Sequence, residues 1–462
     1  MDESSMARML LQFIPLLPNS VSPWSNNFAM KYRTLSIWIG LTLAALAGCG
    51  QTDPPPFRLD MTNVVSKQIP PTHQKAIADI LAAMFGTPDE PYAMPETGLD
   101  QRKLQMAAGP VWSDVGGAKH GLYRRHCAHC HGISGDGRGP TAGILNPYPR
   151  DYRPGVFKFK STVTAAPPTE ADLRKTIHDG IPGTAMPAFA LLPPDEIDAL
   201  VEYVKYLSMR GQMETALENY IFDEGFEPDE PLDPAADPEL KDIIVNDLLA
   251  SVVEQWQGAA EQVILPEESA LPSDDRTPEQ IAESIAEGRE LFYSATKGNC
   301  MQCHGPTALG DGQQTDFDNW SKANKQFFDD TDALVLEIQE LQKGLSELEG
   351  DEREAAREEL NEKNRELAQR LEWKEHLLPP RNAIPRNLRT GVYRGGRRPI
   401  DIFWRVSAGI AGTPMPSAAA GAEGGAGLSQ EEIWQIVDYV HSLPFESVSR
   451  PQRRPVNEEA VN

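Results

Sequence analysis

The sequence predicts an all-α chain in which one helical unit is built twice. Apolar residues recur at steps of three and four in segment after segment, as in Ile197, Leu200, Val201, Val204 and Leu207. Short, distinctive stretches also occur in pairs, in the same order, along the 462 residues. That length allows two or three domains. With 39 prolines and 36 glycines, the helices must be joined by long irregular connections.

The most informative pair is Cys127-Ala128-His129-Cys130-His131 and Cys300-Met301-Gln302-Cys303-His304. Two thiols three positions apart, with an imidazole directly after the second, match the attachment sequence for c-type haem. Cys127 and Cys130 can reach two vinyl groups on one porphyrin edge as thioethers, which brings His131 to the iron from one face. A single copy would also admit half a zinc site or a thioredoxin-like dithiol. Neither of these needs His at the next position. Each copy is followed by a second matched stretch, Gly180-Ile181-Pro182-Gly183-Thr184-Ala185-Met186-Pro187 and Gly409-Ile410-Ala411-Gly412-Thr413-Pro414-Met415-Pro416. A Met is ordinarily core filler. In the same Gly-Thr-x-Met-Pro frame after each attachment sequence, it is what a His/Met-ligated iron requires. The expected cofactors are two covalently bound haem c groups, with His131 and Met186 on one iron and His304 and Met415 on the other.

In chain order, residues 1–48 read as a signal peptide. Lys31 and Arg33 head an apolar run from Leu35 to Leu46, and Leu46-Ala47-Gly48-Cys49 closes it. Met30 is the better initiator for this unit. The small residues before Cys49 resemble a bacterial lipobox, so Cys49 is the expected lipidation site. An ordinary signal peptide cut nearby, or a membrane anchor, is the alternative, although the run is short for a span. Residues 49–100 are expected to be a Pro-rich tether with one short helix, capped by Thr72 and carrying Ile77, Ile80, Leu81, Met84 and Phe85. That helix is too short to stand alone, and it is expected to pack as a flap on the first domain.

The first domain is placed at 101–212. Leu122 and Tyr123 lead into the attachment sequence on a helix, and Gly135-Asp136-Gly137 turns the chain. Ala171 to His178 forms a helix ahead of the Met loop, and Pro194 opens the last one. Residues 213–277 read as an acidic connector whose one helical patch, Ile243 to Trp256, either packs or docks a partner. The second domain, 278–444, repeats the first. Gly310-Asp311-Gly312 answers Gly135-Asp136-Gly137, and Pro385-Arg386-Asn387 answers Pro149-Arg150-Asp151. Its longer His-to-Met separation is assigned to an insertion at about 331–376. There Leu334, Ile338, Leu341, Leu345 and Leu348 form a coiled-coil seam that resumes at Leu360, Leu367 and Leu371. The expected structure is an antiparallel helical hairpin, either a solvated protrusion or a docking arm. Residues 445–462 are a polar tail.

Both repeats resemble class I cytochrome c modules, over most of 101–212 and 278–444. The resemblance implies two small all-α folds, each wrapped round a haem. It also implies that a proline carbonyl orients the ligand histidine. Pro140 is placed for that role in the first domain, and no counterpart stands close after Gly312. Arg150 and Arg386, at matched positions, are candidates to pair with haem propionates or else ordinary surface arginines.

The net charge of −25 excludes nucleic acid as a partner and favours basic surfaces on redox proteins or on a membrane respiratory complex. The reading is an exported, periplasmic-side electron carrier tethered to the membrane by its lipid. It is not expected to be an enzyme. A cytochrome c subunit of a respiratory oxidase or dehydrogenase is the alternative. A di-haem peroxidase, which needs one open iron, is disfavoured by Met loops in both halves; His120, His126 and His129 are the residues able to displace a Met.

Overall fold

The structure is a computed structural model that describes residues 55–421 and 426–446. The leader, Cys49 and the tail from residue 447 lie outside the described residues. The chain is helical nearly throughout, and its only paired strands among the described residues are β1 (Trp112–Ser113) and β2 (Lys119–His120). No described helix is long and apolar enough to cross a membrane.

From Pro55 onward, the stretch read as a tether is packed structure. Helices α1 (Met61–Ser66) and α2 (Pro71–Phe85) bury Val64, Ile77, Leu81 and Phe85 in the first core. Proline here opens α2, because its missing N–H is one that a first helical turn leaves unpaired anyway. Thr72 does not cap α2. Its hydroxyl donates to the Pro228 carbonyl at 2.9 Å, tying α2 to the connector.

Next come α3 (Gln101–Ala107), α4 (Leu122–His126), α5 (Ala128–His131), α6 (Glu170–Asp179) and α7 (Pro194–Glu224). A complete Thr169/Asp172 capping box starts α6. The helix α7 runs well past residue 212, where the first domain was expected to end, because Met213, Leu217 and Ile221 continue its buried face. The connector then folds back as α8 (Pro238–Asp242), a π-helical stretch at Ile243–Leu249 and α9 (Ala250–Gln257). Ile244, Leu249, Val252, Val253 and Trp256 all join the first core, so the patch packs within the chain.

A second core is built by α10 (Pro278–Tyr293), α14 (Pro399–Ala408) and α15 (Gln430–Ser442), and the turn α11 (Met301–His304) sets His304 beside its Phe292. Between α11 and α14 stand α12 (Asn319–Gly344) and α13 (Gly350–Lys374), which therefore begin earlier than the insertion read from the sequence. Lys363 pairs with Glu337 at 2.9 Å and Lys374 with Asp332 at 3.1 Å, which fixes the two helices as antiparallel. Leu334 and Ile338 are buried as expected, but Leu371 is exposed while Arg370 and Trp373 turn inward. The foot of this hairpin, through Phe327, Trp373 and Leu377, packs with Val65 of α1.

Candidate metal centres

The first attachment sequence sits on the turn α4–α5. One helical turn brings Cys127, Cys130 and His131 together, with the Cys130 and His131 amides both donating back to the Cys127 carbonyl. His131 is buried, stacked on Tyr152 with ring centroids 4.6 Å apart, and its Nδ1 lies 2.9 Å from the Arg150 carbonyl. Burial lowers its pKa to about 4, with that hydrogen bond acting the other way. The imidazole is thus neutral. A carbonyl oxygen only accepts, so Nδ1 carries the hydrogen and Nε2 keeps its lone pair, as a metal ligand must.

The second half repeats this. His304 Nδ1 lies 3.2 Å from the Arg386 carbonyl, and burial again holds the imidazole below its ordinary pKa. Pro140 is therefore not the acceptor the resemblance implied, and the second histidine does not lack one. In both halves the partner is the arginine of the matched Pro-Arg stretch, 19 residues after His131 and 82 after His304. The hairpin lies in that longer interval. The turn is also in a different register from the one read off the sequence. The Gly135 carbonyl accepts from the Tyr152 amide as the Ala308 carbonyl accepts from Leu388, so Ala308-Leu309-Gly310 answers Gly135-Asp136-Gly137. Gly137 and Gly310 both have positive φ, and a Cβ on either would run into the preceding Pro149 or Pro385 carbonyl.

The Met loops match bond for bond. The Ile181 amide donates to the Met186 carbonyl at 3.2 Å, and Ile410 donates to Met415 at 3.0 Å. The Thr184 hydroxyl donates to the Ile181 carbonyl at 2.8 Å and accepts from the Met186 amide at 3.1 Å. Thr413 does the same for Ile410 and Met415, at 2.8 and 3.3 Å. Both Met side chains are half-buried. The role of these threonines was not read from the sequence, although their place in the repeated frame is the signal for it.

The donor set fits covalent haem better than its competitors. Burial pushes the thiols of Cys127 and Cys300 up to about 12 and raises that of Cys303, whereas a reactive dithiol needs a lowered one. No group of three or more His, Cys, Asp or Glu side chains that could hold a metal ion is found among the described residues, which leaves a zinc site without ligands. Arg150 Nη2 is enclosed and has no hydrogen-bond partner among the described residues, with Asp318 and Asp151 acting on its charge at longer range, which leaves it able to bind an anion such as a propionate. Of the histidines able to displace a Met, two meet aromatic rings. His120 stacks on Trp112 with centroids 4.2 Å apart, His126 meets Phe189 edge-on and His129 is exposed.

The family model named Cytochrome c matches residues 120–208. No curated protein matches the chain. Among solved structures, a chain of the Kuenenia stuttgartiensis reducing HAO-like protein complex Kustc0457/Kustc0458 is similar at 22% identity and a TM-score of 0.37. The match covers 70% of this chain and 94% of that one. The matched residues 120–208 contain the attachment sequence, the His131 acceptor and the first Met loop. Residues 120–208 thus match a cytochrome c domain, which implies covalent haem c in that part of the chain.

Proposed function

We propose that this cytochrome is an exported di-haem carrier that passes single electrons between redox partners and does no substrate chemistry of its own. One observation carries the reading. The second half reproduces the His-to-carbonyl bond and the Met-loop bonding of the first, around a second Cys-x-x-Cys-His. Cys127 and Cys130, and Cys300 and Cys303, would form the thioethers; His131 with Met186, and His304 with Met415, would hold the two irons. Bound haem supplies a one-electron Fe(III)/Fe(II) couple. The residues do the rest. The Arg150 and Arg386 carbonyls orient the imidazoles, and the threonine-braced loops hold each Met in place whichever charge the iron carries. A His and a Met available to each iron favour the carrier over the peroxidase.

Denaturing gels should retain haem stain, a count should give two haems per chain, and the reduced protein should not bind carbon monoxide promptly. If wild-type protein bound it at one haem and Met415→Ala changed nothing, the second centre would be reactive and the peroxidase reading would take over. Membrane attachment through Cys49 rests on Leu46-Ala47-Gly48-Cys49. Replacing Cys49 by Ser should release the protein from membranes with haem content unchanged. Retention of the variant in the membrane fraction would refute the anchor. The acidic balance of the chain suits donors and acceptors with basic surfaces. A subunit of a respiratory complex is the second reading, favoured by the long, highly charged α12–α13 hairpin.

A further inference from the structure

The two halves meet through their Met loops, and they meet reciprocally. A Cβ on Gly183, in the first Met loop, would collide with the Arg386 guanidinium and lie 3.3 Å from Val392 Cγ1, both from the second half. A Cβ on Gly412, in the second Met loop, would lie 3.2 Å from Val156 Cγ1 and 3.9 Å from Arg150 Nη1, both from the first. Arg150 and Arg386 are matched residues, and so are Val156 and Val392. The seam therefore has the pattern of an interface about a two-fold axis, in which i touches j and j touches i. It is held by further bonds across it. Lys158 pairs with Asp318 at 2.8 Å, and Lys175 Nζ donates to the Gly395 carbonyl at 3.1 Å.

Each of these arginines thus touches both sites. Arg150 gives its carbonyl to His131 and lays its side chain against the Met415 loop. Arg386 gives its carbonyl to His304 and lays its side chain against the Met186 loop. Neither guanidinium forms a close ion pair among the described residues; Arg386 Nε donates to the Val392 carbonyl at 3.2 Å, and Asp318 and Asp151 act on Arg150 only at longer range.

Resting on the two-centre reading above, we propose that Arg150 and Arg386 are positioning residues acting in trans. Each orients the histidine of its own centre through its backbone and sets the potential of the opposite centre through its side chain. A fixed positive charge beside a Met loop favours the less positive, reduced iron. Removing the charge lowers the potential on the far side of the seam, so the two centres do not titrate independently of each other's surroundings.

The test uses full-length, haem-loaded protein. Met415→Ala leaves the first centre as the one source of the sulfur-to-iron absorption band, so a redox titration of that band reports the first potential alone. Met186→Ala does the same for the second. In the Met415→Ala background, Arg386→Gln should lower the Fe(II)/Fe(III) ratio at a fixed potential on the order of tenfold, a shift of about 59 mV for one electron. Arg150→Gln should move it less. In the Met186→Ala background the order should reverse. In the Met415→Ala background, Arg386→Lys, which keeps the charge, should restore most of the first potential. Should Arg386→Gln fail to fold, Gly183→Ala displaces the same guanidinium and should lower the same potential. Equal shifts at both centres, or none in trans, would overturn the coupling while leaving two haems per chain in place. A count of one haem would instead bring down the two-centre reading itself.

Discussion

Glu218 shows how far single residues depart from their surface behaviour in this chain. Its side chain is fully buried on α7, 3.4 Å from Lys67 Nζ. Burial pushes its pKa up to about 8, with Glu214 adding to the rise and Lys67 opposing it. A carboxyl that holds its proton more tightly folded than unfolded adds stability below the unfolded value of 4.5. That contribution is lost as pH rises through about 8. Wild-type protein should therefore lose stability across this window relative to Glu218→Gln, by on the order of 1–3 kcal/mol. Thermal melts of both proteins from acid to mildly alkaline pH check this, and parallel curves would mean that Glu218 does not hold its proton.

At the scale of elements, the closest approach in the second half is between α10 and α15. A Cβ on Gly288 would fall onto the Gln435 carbonyl and lie 2.9 Å from the Ile436 amide, so only a glycine lets these helices cross where they do. Gly288→Val should destabilise the second half by about 1–3 kcal/mol or more. It should lower haem incorporation there while the first centre keeps its spectrum. A variant with both haems and an unchanged melt would show that the crossing tolerates a side chain. Nothing local in the sequence marks Gly288, because a glycine inside a helix reads there only as a weak propensity cost. The attachment sequences and Met loops were legible for the opposite reason: their chemistry demands particular side chains at fixed spacing. The His acceptors were not, since every residue carries a carbonyl and the choice of Arg150 or Arg386 is made by the fold. For His304 the hairpin also removes the acceptor to a distance of 82 residues. The stretch from Pro55 looked like a tether because prolines hide its short helices, and the packing of Phe57 depends on Tyr206 and Arg210 of α7, far away in sequence.

For the whole molecule, the question is what the hairpin adds to a body already closed by two cores. Its foot is structural. Phe327, Trp373 and Leu377 pack with Val65 of α1, Arg138 lies 5.2 Å from the Trp373 ring and Tyr148 meets Trp320 edge-on. Arg381, just after the hairpin, donates to the Gly143 carbonyl at 3.1 Å and lies 3.8 Å from the Tyr148 ring. Above the foot, the ion pair of Lys363 with Glu337 joins one hairpin helix only to the other. Two variants separate these parts. Trp373→Ala should cost about 3–5 kcal/mol, as removal of a buried indole does, and should loosen α1 with it. Replacing residues 339–361 by a short turn should leave haem content, both potentials and the melting temperature unchanged. If the shortened protein melted earlier or shifted a potential, the upper hairpin would belong to the redox body. If it stayed intact and exchanged electrons more slowly with a membrane fraction, the acidic arm would be what the chain extends toward its partner.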